Sequence, residues 1–427
     1  MRVLNSLRLR CLALSTLSPL VACGSDGSKA NSGIAQSGQA GTNELGEGGT
    51  GNAAGKSASA GQSAGLGGAG SGEAPVSGGA ANLGGRPAID YGDPEVPPAQ
   101  WTNITGMFAG MQSECGNMSG IFSSPFIDLL VFGVARQGLW STRDGGATFS
   151  KLGTTGDAFL SRMSTVSWDP SSSKIFYVSG IYGWESPFTD GVVKTTDTGA
   201  SLTGYKTLSA IQSSNDSVSI DFTDSDRKIM LSGGHEQSGV MFRSTDSGAN
   251  WTDIGASLPA NLGFCTTTLV LDSKHLLIGC AGSWSNKPGA VLRSVDGGNT
   301  WEKVSDDGVV NQPLWASDGA IYWAKEAGGL LVSTDAGATF HQASDKISNR
   351  VSPIELPDGR IVSLVNNTLA ASKDGGKAWD AIGSMLPFEP NSIAYSPFRR
   401  AFFATRFDCN NNVPADAIAR FGFDFKQ

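Results

Sequence analysis

Histidine is scarce in this chain, with 3 in 427 residues, and none stands at metal-ligand spacing from another. A multi-histidine metal centre is therefore not expected, and nothing calls for a cofactor. Basic residues are outnumbered: 31 Lys and Arg against 39 Asp and Glu leave a net charge of −8 without a basic cluster. The electrostatic footprint of a nucleic-acid binder is missing. No segment reaches the apolar length of a membrane-spanning helix. Aromatic residues are absent between positions 24 and 88. That stretch of Gly, Ala, Ser, Asn and Gln cannot bury enough apolar surface to offset its ordering entropy.

What the N-terminus does contain is an address. Arg2, Arg8 and Arg10 precede a short apolar run over residues 11–22, the pattern of a secretion signal. The run ends in Leu20-Val21-Ala22-Cys23-Gly24, which resembles the bacterial lipobox. The resemblance implies cleavage before Cys23, lipidation of that cysteine, and firm anchoring to a membrane of the cell envelope or surface. Residues 1–22 are then the signal and 23–98 a disordered tether of about 70 residues, spanning about 45 Å as a flexible coil. Two motifs inside the tether carry no chemistry. Gly61-Gln62-Ser63-Ala64-Gly65 and Gly65-Leu66-Gly67-Gly68-Ala69-Gly70 lack the strand and helix that give such patterns meaning.

Residues 99–427 are organised by a repeat. It reads Ser141-Thr142-Arg143-Asp144-Gly145-Gly146-Ala147-Thr148-Phe149 at first, and its clearest later copies are Arg243-Ser244-Thr245-Asp246-Ser247-Gly248-Ala249-Asn250-Trp251 and Arg293-Ser294-Val295-Asp296-Gly297-Gly298-Asn299-Thr300-Trp301. Further copies centre on Asp197, Asp335 and Asp374, and Leu202 replaces the aromatic residue in the second. A spacing of about 40 to 50 residues with several short strands per unit is that of propeller blades. Four strands fit around each copy, at 218–222, 228–232, 239–244 and 250–254 in the third. Three strands at 391–396, 401–406 and 417–423 follow the last copy without one of their own. Gln100-Trp101-Thr102-Asn103-Ile104 repeats the pattern of a fourth strand. Joining these ends predicts an all-β, seven-bladed propeller whose N-terminal strand closes the last blade and removes an open sheet edge. A six-bladed ring with loose ends is the alternative.

The motif resembles the Asp-box, or BNR repeat, of sialidases, sortilin-type receptors and xyloglucan-processing enzymes. The resemblance implies that Asp144, Asp197, Asp246, Asp296, Asp335 and Asp374 are structural and that ligands bind the opposite face. With Cys11 in the leader and Cys23 lipidated, four cysteines remain in an exported chain and suggest disulfides with three possible connectivities. The strand layout favours Cys265–Cys280 within blade four and Cys115–Cys409 across the closure.

Candidate functional residues fall in the loops of the face opposite the motif. The longest loops between second and third strands are 180–191, 281–289 and 406–416. Trp184 and Trp284 offer flat rings for a sugar or a partner side chain. Glu185, Asp216 and Glu236 are candidate catalytic carboxylates, with His235 beside Glu236 and Arg162, Arg350 and Arg406 as candidate ligand-binding arginines. The sialidase pattern itself is incomplete. Its Phe-Arg-Ile-Pro type motif is absent, and only Tyr182 among the tyrosines lies in a candidate loop. The expected function is recognition of an extracellular glycan or protein by a monomer. The alternatives are a glycoside hydrolase or polysaccharide lyase, and an envelope assembly factor.

Overall fold

A short hydroxyl side chain, an aspartate and a glycine in fixed order build the same turn six times. In the first, Thr142 Oγ1 donates to Asp144 Oδ1 at 2.8 Å and accepts from Gly146 N at 2.9 Å. Asp144 then accepts from the amides of Ala147 and Thr148 at 3.0 and 2.9 Å, and from Thr148 Oγ1 at 2.5 Å. The hydroxyl-to-glycine bond recurs at Gly199, Gly248, Gly298, Gly337 and Gly376. Glycine is required there: Gly146 has φ +93° and a Cβ would lie 2.5 Å from Ile104 Cδ1. The preceding position is more tolerant, since Thr198, Ser247 and Ala336 adopt positive φ in its place.

The computed structural model describes residues 89–427 apart from 115, 116, 284 and 409. Seven sheets follow one another, antiparallel except for one added outer strand in the second. Blade one runs Met118–Ser123, Leu130–Val134, Gly138–Thr142 and Ser150–Lys151. Blade two runs Arg162–Trp168, Phe176–Ile181, Val192–Thr195 and Ser201–Gly204, and blade three Asn215–Ile220, Met230–Gly234, Met241–Ser244 and Thr252–Asp253. Blade four runs Phe264–Val270, Leu276–Ala281, Ala290–Ser294 and Glu302–Ser305, blade five Val309–Trp315, Ile321–Lys325, Leu330–Ser333 and His341–Ser344, and blade six Ile354–Glu355, Ile361–Val365, Thr368–Ser372 and Asp380–Ala381. Blade seven is built from Ser392–Ser396, Ala401–Thr405 and Ile418–Gly422, and its fourth strand is Thr102–Asn103. Thr102 pairs with Arg420 and Asn103 with Ala419, so the N-terminal strand closes the ring as expected. Trp101 packs on Phe421 at 5.3 Å and its Nε1 donates to Ser384 O at 3.1 Å.

Residues 89–98, read from composition as the end of the tether, lie along blade seven. Tyr91 stands edge-on to Phe398 at 5.1 Å and to Phe425 at 5.9 Å. Asp93 pairs with Arg400, and Pro98 O accepts from Gly422 N at 3.0 Å. One aromatic ring and one charge suffice to dock a proline-rich segment that composition alone assigns to coil. The signal, Cys23 and the Cys115–Cys409 pair lie outside the described residues.

Leu202 also finds its reason. The link from blade one supplies an extra strand, Thr155–Gly156, that runs parallel to Ser201–Gly204 and pairs Gly156 with Leu202. The same link packs on the Leu202 side chain: a Cβ on Gly153 would lie 2.5 Å from Leu202 Cδ1, so the chain itself crowds this side chain.

The innermost strands carry hydroxyl side chains, because each has an edge that no strand pairs. Ser167 Oγ donates to Val218 O at 2.8 Å, Ser217 Oγ to Thr266 O at 2.6 Å, and Ser219 Oγ accepts from Val270 N at 2.8 Å. Between blades the packing is apolar: Trp323 is fully buried among Leu271, Leu277, Val291 and Val309. Cys265 and Cys280 face each other across blade four and form a disulfide.

The turns carry an acid sensitivity. Thr300's amide and hydroxyl hold the Asp296 carboxyl down at about 2. At Asp144 burial pushes upward, but the Thr148 and Thr142 hydrogen bonds outweigh it and the carboxyl also sits at about 2. The other four are lowered as well. Depressed folded-state values stabilise above the unfolded-state value, near 3.8, and that stability is lost as pH falls toward 2. Thermal midpoints should therefore hold from pH 7 to about 4.5 and drop steeply below 3.8; a flat profile down to pH 2.5 would contradict the assignment.

Candidate ligand site on the loop face

Strand direction alternates, so the aspartate turns share one face with the first-to-second turns. The second-to-third loops and the links between blades make the other. Asp216 reaches that face through a bulge: the register of blade three shifts between Asn215 and Ser217, re-aiming the extra residue. His235 and Glu236 follow the second strand of the same blade, with Glu236 at φ +49°.

The Asp216 carboxylate takes His235 Nδ1 at 3.0 and 3.1 Å, and His235 Nε2 lies 3.8 Å from Glu236 Oε1. The imidazole is buried, with 2% of its side chain exposed. Burial opposes its protonation, yet the Asp216 charge and hydrogen bond prevail and raise its pKa above the usual 6.5. Desolvation raises Glu236 above 4.5, against the pull of His235. Raised folded-state values stabilise at low pH, so this cluster's contribution fades as pH rises past 6.5. Breaking a buried pair on one side typically costs about 3 kcal/mol. Asp216→Asn should show that loss in chemical denaturation at pH 6, with a smaller deficit at pH 9; equal deficits would refute a charged His235.

A chain of rings leads outward from this cluster. Tyr182 meets His235 edge-on at 5.4 Å and Trp184 at 5.3 Å, and the Arg162 guanidinium covers the Tyr182 ring at 4.8 Å. Trp184 ends the chain with 58% of its surface exposed. Ion pairs surround it. Arg136 bonds Glu185 at 2.5 Å and Glu114 at 3.4 Å, and Arg162 lies 3.5 Å from the other Glu114 oxygen. Behind the loop, the buried Asp190 carboxylate accepts from Lys206 at 3.1 Å, Ser209 at 3.1 Å, Thr189 at 2.7 Å and the Phe159 amide at 3.3 Å.

Exposed large apolar residues concentrate on this face. Met107, Phe159, Trp184, Ile211 and Met385 lie in its links and loops, and only Val295 of those described lies in an aspartate turn. Three of them belong to segments joined around blade two. Phe159 O accepts from Thr189 N and Asp190 N, and Ser213 O, two residues beyond Ile211, accepts from Gly183 N.

Of the residues named from sequence, Asp216, His235, Glu236, Arg162, Glu185 and Trp184 thus lie on adjacent blades two and three. The other two arginines sit apart: Arg350 bonds Glu389 at 2.6 Å and Arg406 bonds Asp416 at 2.5 Å. Trp284 lies outside the described residues. Sequence reasoning assigned no role to Asp190, Phe159 or Ile211, since an isolated loop residue carries no periodic signal. A cavity of about 380 Å³ lies elsewhere, between blade six and the N-terminal segment, lined by Val96, Arg360, Lys373 and Phe421. Among the described residues no group of three His, Cys, Asp or Glu side chains is placed to hold a metal ion.

No family model and no curated protein matches the chain. Solved structures do. The extracellular domain of BT3049 from B. thetaiotaomicron, described as a hybrid two component system, aligns with TM-score 0.53 and 13% identity, over 76% of this chain and 42% of that one. The GH74 xyloglucanase from Xanthomonas campestris aligns with TM-score 0.47 and 16% identity over 77% of this chain, which spans 56% of the enzyme. YCF48 from Cyanidioschyzon merolae gives TM-score 0.48 and 15% identity over 76% and 99% of the two chains. At these identities the likeness concerns fold alone, and together with the closed ring of seven sheets it establishes the chain as a seven-bladed β-propeller.

Proposed function

We propose that this propeller is a lipid-anchored recognition module at the cell surface. On this reading the six aspartate turns are Asp-box scaffolding, and a glycan is bound on the loop face around blade two. The observation that carries it is the exposed Trp184 ring, held edge-on by the buried Tyr182 and bordered by hydrogen-bonding Arg136 and Glu185. An aromatic platform with planar polar groups at its rim suits a sugar ring. The described chain begins on the other side. Tyr91 and Asp93 contact Phe398 and Arg400 in a first-to-second turn of blade seven.

Catalysis is the weaker reading. A glycosidase holds its scissile bond between two carboxylates about 5 to 9.5 Å apart. Here the His235 imidazole fills the space between Asp216 and Glu236, and Glu185 is held by Arg136. A protein ligand is the second form of recognition, favoured by Phe159 and Ile211, each 53% exposed. A screen of polysaccharides scored for binding and for released reducing ends tests the proposal. Binding without release is expected. Turnover abolished by Glu236→Gln or Asp216→Asn would make the chain an enzyme.

A further inference from the structure

The arginines of the loop face share a property that bears on what the site accepts. Four are described there, one each in or beside blades one, two, six and seven, and every one is engaged by a carboxylate of the same chain. Arg136 is held by Glu185 and Glu114, Arg162 by Glu114, Arg350 by Glu389 and Arg406 by Asp416. Beside blade two, Lys206 is likewise engaged by Asp190 at 3.1 Å. Around Trp184 the charges run Glu185, Arg136, Glu114, Arg162, then Glu236, His235 and Asp216, with acids in the majority.

We infer that the Trp184 site takes an uncharged sugar and excludes acidic ones, an inference that rests on the glycan-binding reading above. A free guanidinium forming a bidentate pair is the strongest side-chain partner for the carboxylate of a uronate or sialate. To gain one here it would have to displace Glu185 or Glu114, leaving that glutamate beside a second anion. A hydroxyl makes no such demand. It bonds to donors and acceptors that an Arg–Glu pair leaves unused, since a guanidinium has five N–H groups and a carboxylate about four acceptor positions. Lys287 and Lys346, in the blade-four loop and the link from blade five to six, pair with no carboxylate among the described residues and are point charges on flexible stems.

The test titrates the propeller with xyloglucan and mixed-linkage glucan on one side and polygalacturonate and alginate on the other. The expected result is binding to a neutral polymer at least tenfold tighter than to either acidic one. Glu185→Gln, which frees one side of Arg136, should narrow that gap at least threefold by gaining affinity for polygalacturonate. Tighter binding of an acidic polymer by the unaltered protein overturns the inference and leaves glycan recognition standing. Failure to bind any of the four overturns the inference and the glycan reading together. A Glu185→Gln protein that folds and gains no affinity for polygalacturonate removes the charge mechanism.

Discussion

Removing residues 89–105 should lower the thermal midpoint by about 10 °C or more, the largest stability effect expected of any change outside the sheets' apolar cores. The segment is short, but blade seven has no other fourth strand. Its loss takes away the Thr102–Arg420 and Asn103–Ala419 pairing and exposes the Phe421 ring beneath Trp101. It also strips Ile418 of bonds on both sides, since its amide donates to Thr105 Oγ1 at 2.9 Å and its carbonyl accepts from Ile104 N at 2.9 Å. Losing one packed tryptophan alone costs about 3 to 5 kcal/mol. Opening the ring adds an unprotected edge at blade seven. A truncated protein that melts with the full-length midpoint would show that the ring does not depend on its N-terminal strand.

Trp184→Ala should weaken ligand binding at least thirtyfold while leaving the midpoint within about 2 °C. A central aromatic anchor contributes about 2 kcal/mol or more to a binding free energy, which is that factor in affinity. With 58% of its surface exposed, Trp184 supports little of the core. The separation of the two readouts is informative. If binding fell because the loop collapsed, Asp190→Ala, which releases Lys206, Ser209 and Thr189, would lower stability and binding together. Unchanged affinity in Trp184→Ala would move the site away from blade two.

Much of this architecture is legible in the chain because a turn that needs a hydroxyl, an aspartate and a glycine in fixed order leaves a literal sequence trace. The closing strand was legible for the same reason: Trp101-Thr102-Asn103 copies Trp251-Thr252-Asp253, and each pair of strand residues occupies a fourth strand. Strand ends were less so. The first strand of blade three begins at Asn215 rather than 218, because a bulge carries the chain past the alternating pattern. The site was half legible. Loop position singled out His235, Asp216 and Trp184, but the ring of Tyr182 that joins them is a tertiary contact no spacing encodes. The arginines looked available in sequence. Their pairing with Glu114, Glu389 and Asp416 arises from neighbouring blades or from opposite ends of a loop.

The most direct test compares two single substitutions on opposite faces, each measured for glycan affinity at 20 °C and for thermal midpoint. Ser294 is buried and bridges Asp296 and Gly298 at 2.8 Å each, so Ser294→Ala should cost about 1 to 2 kcal/mol of stability and leave affinity unchanged. Trp184→Ala should do the reverse. Loss of affinity in Ser294→Ala with Trp184→Ala binding normally would put recognition on the face of the aspartate turns and contradict their role as scaffold.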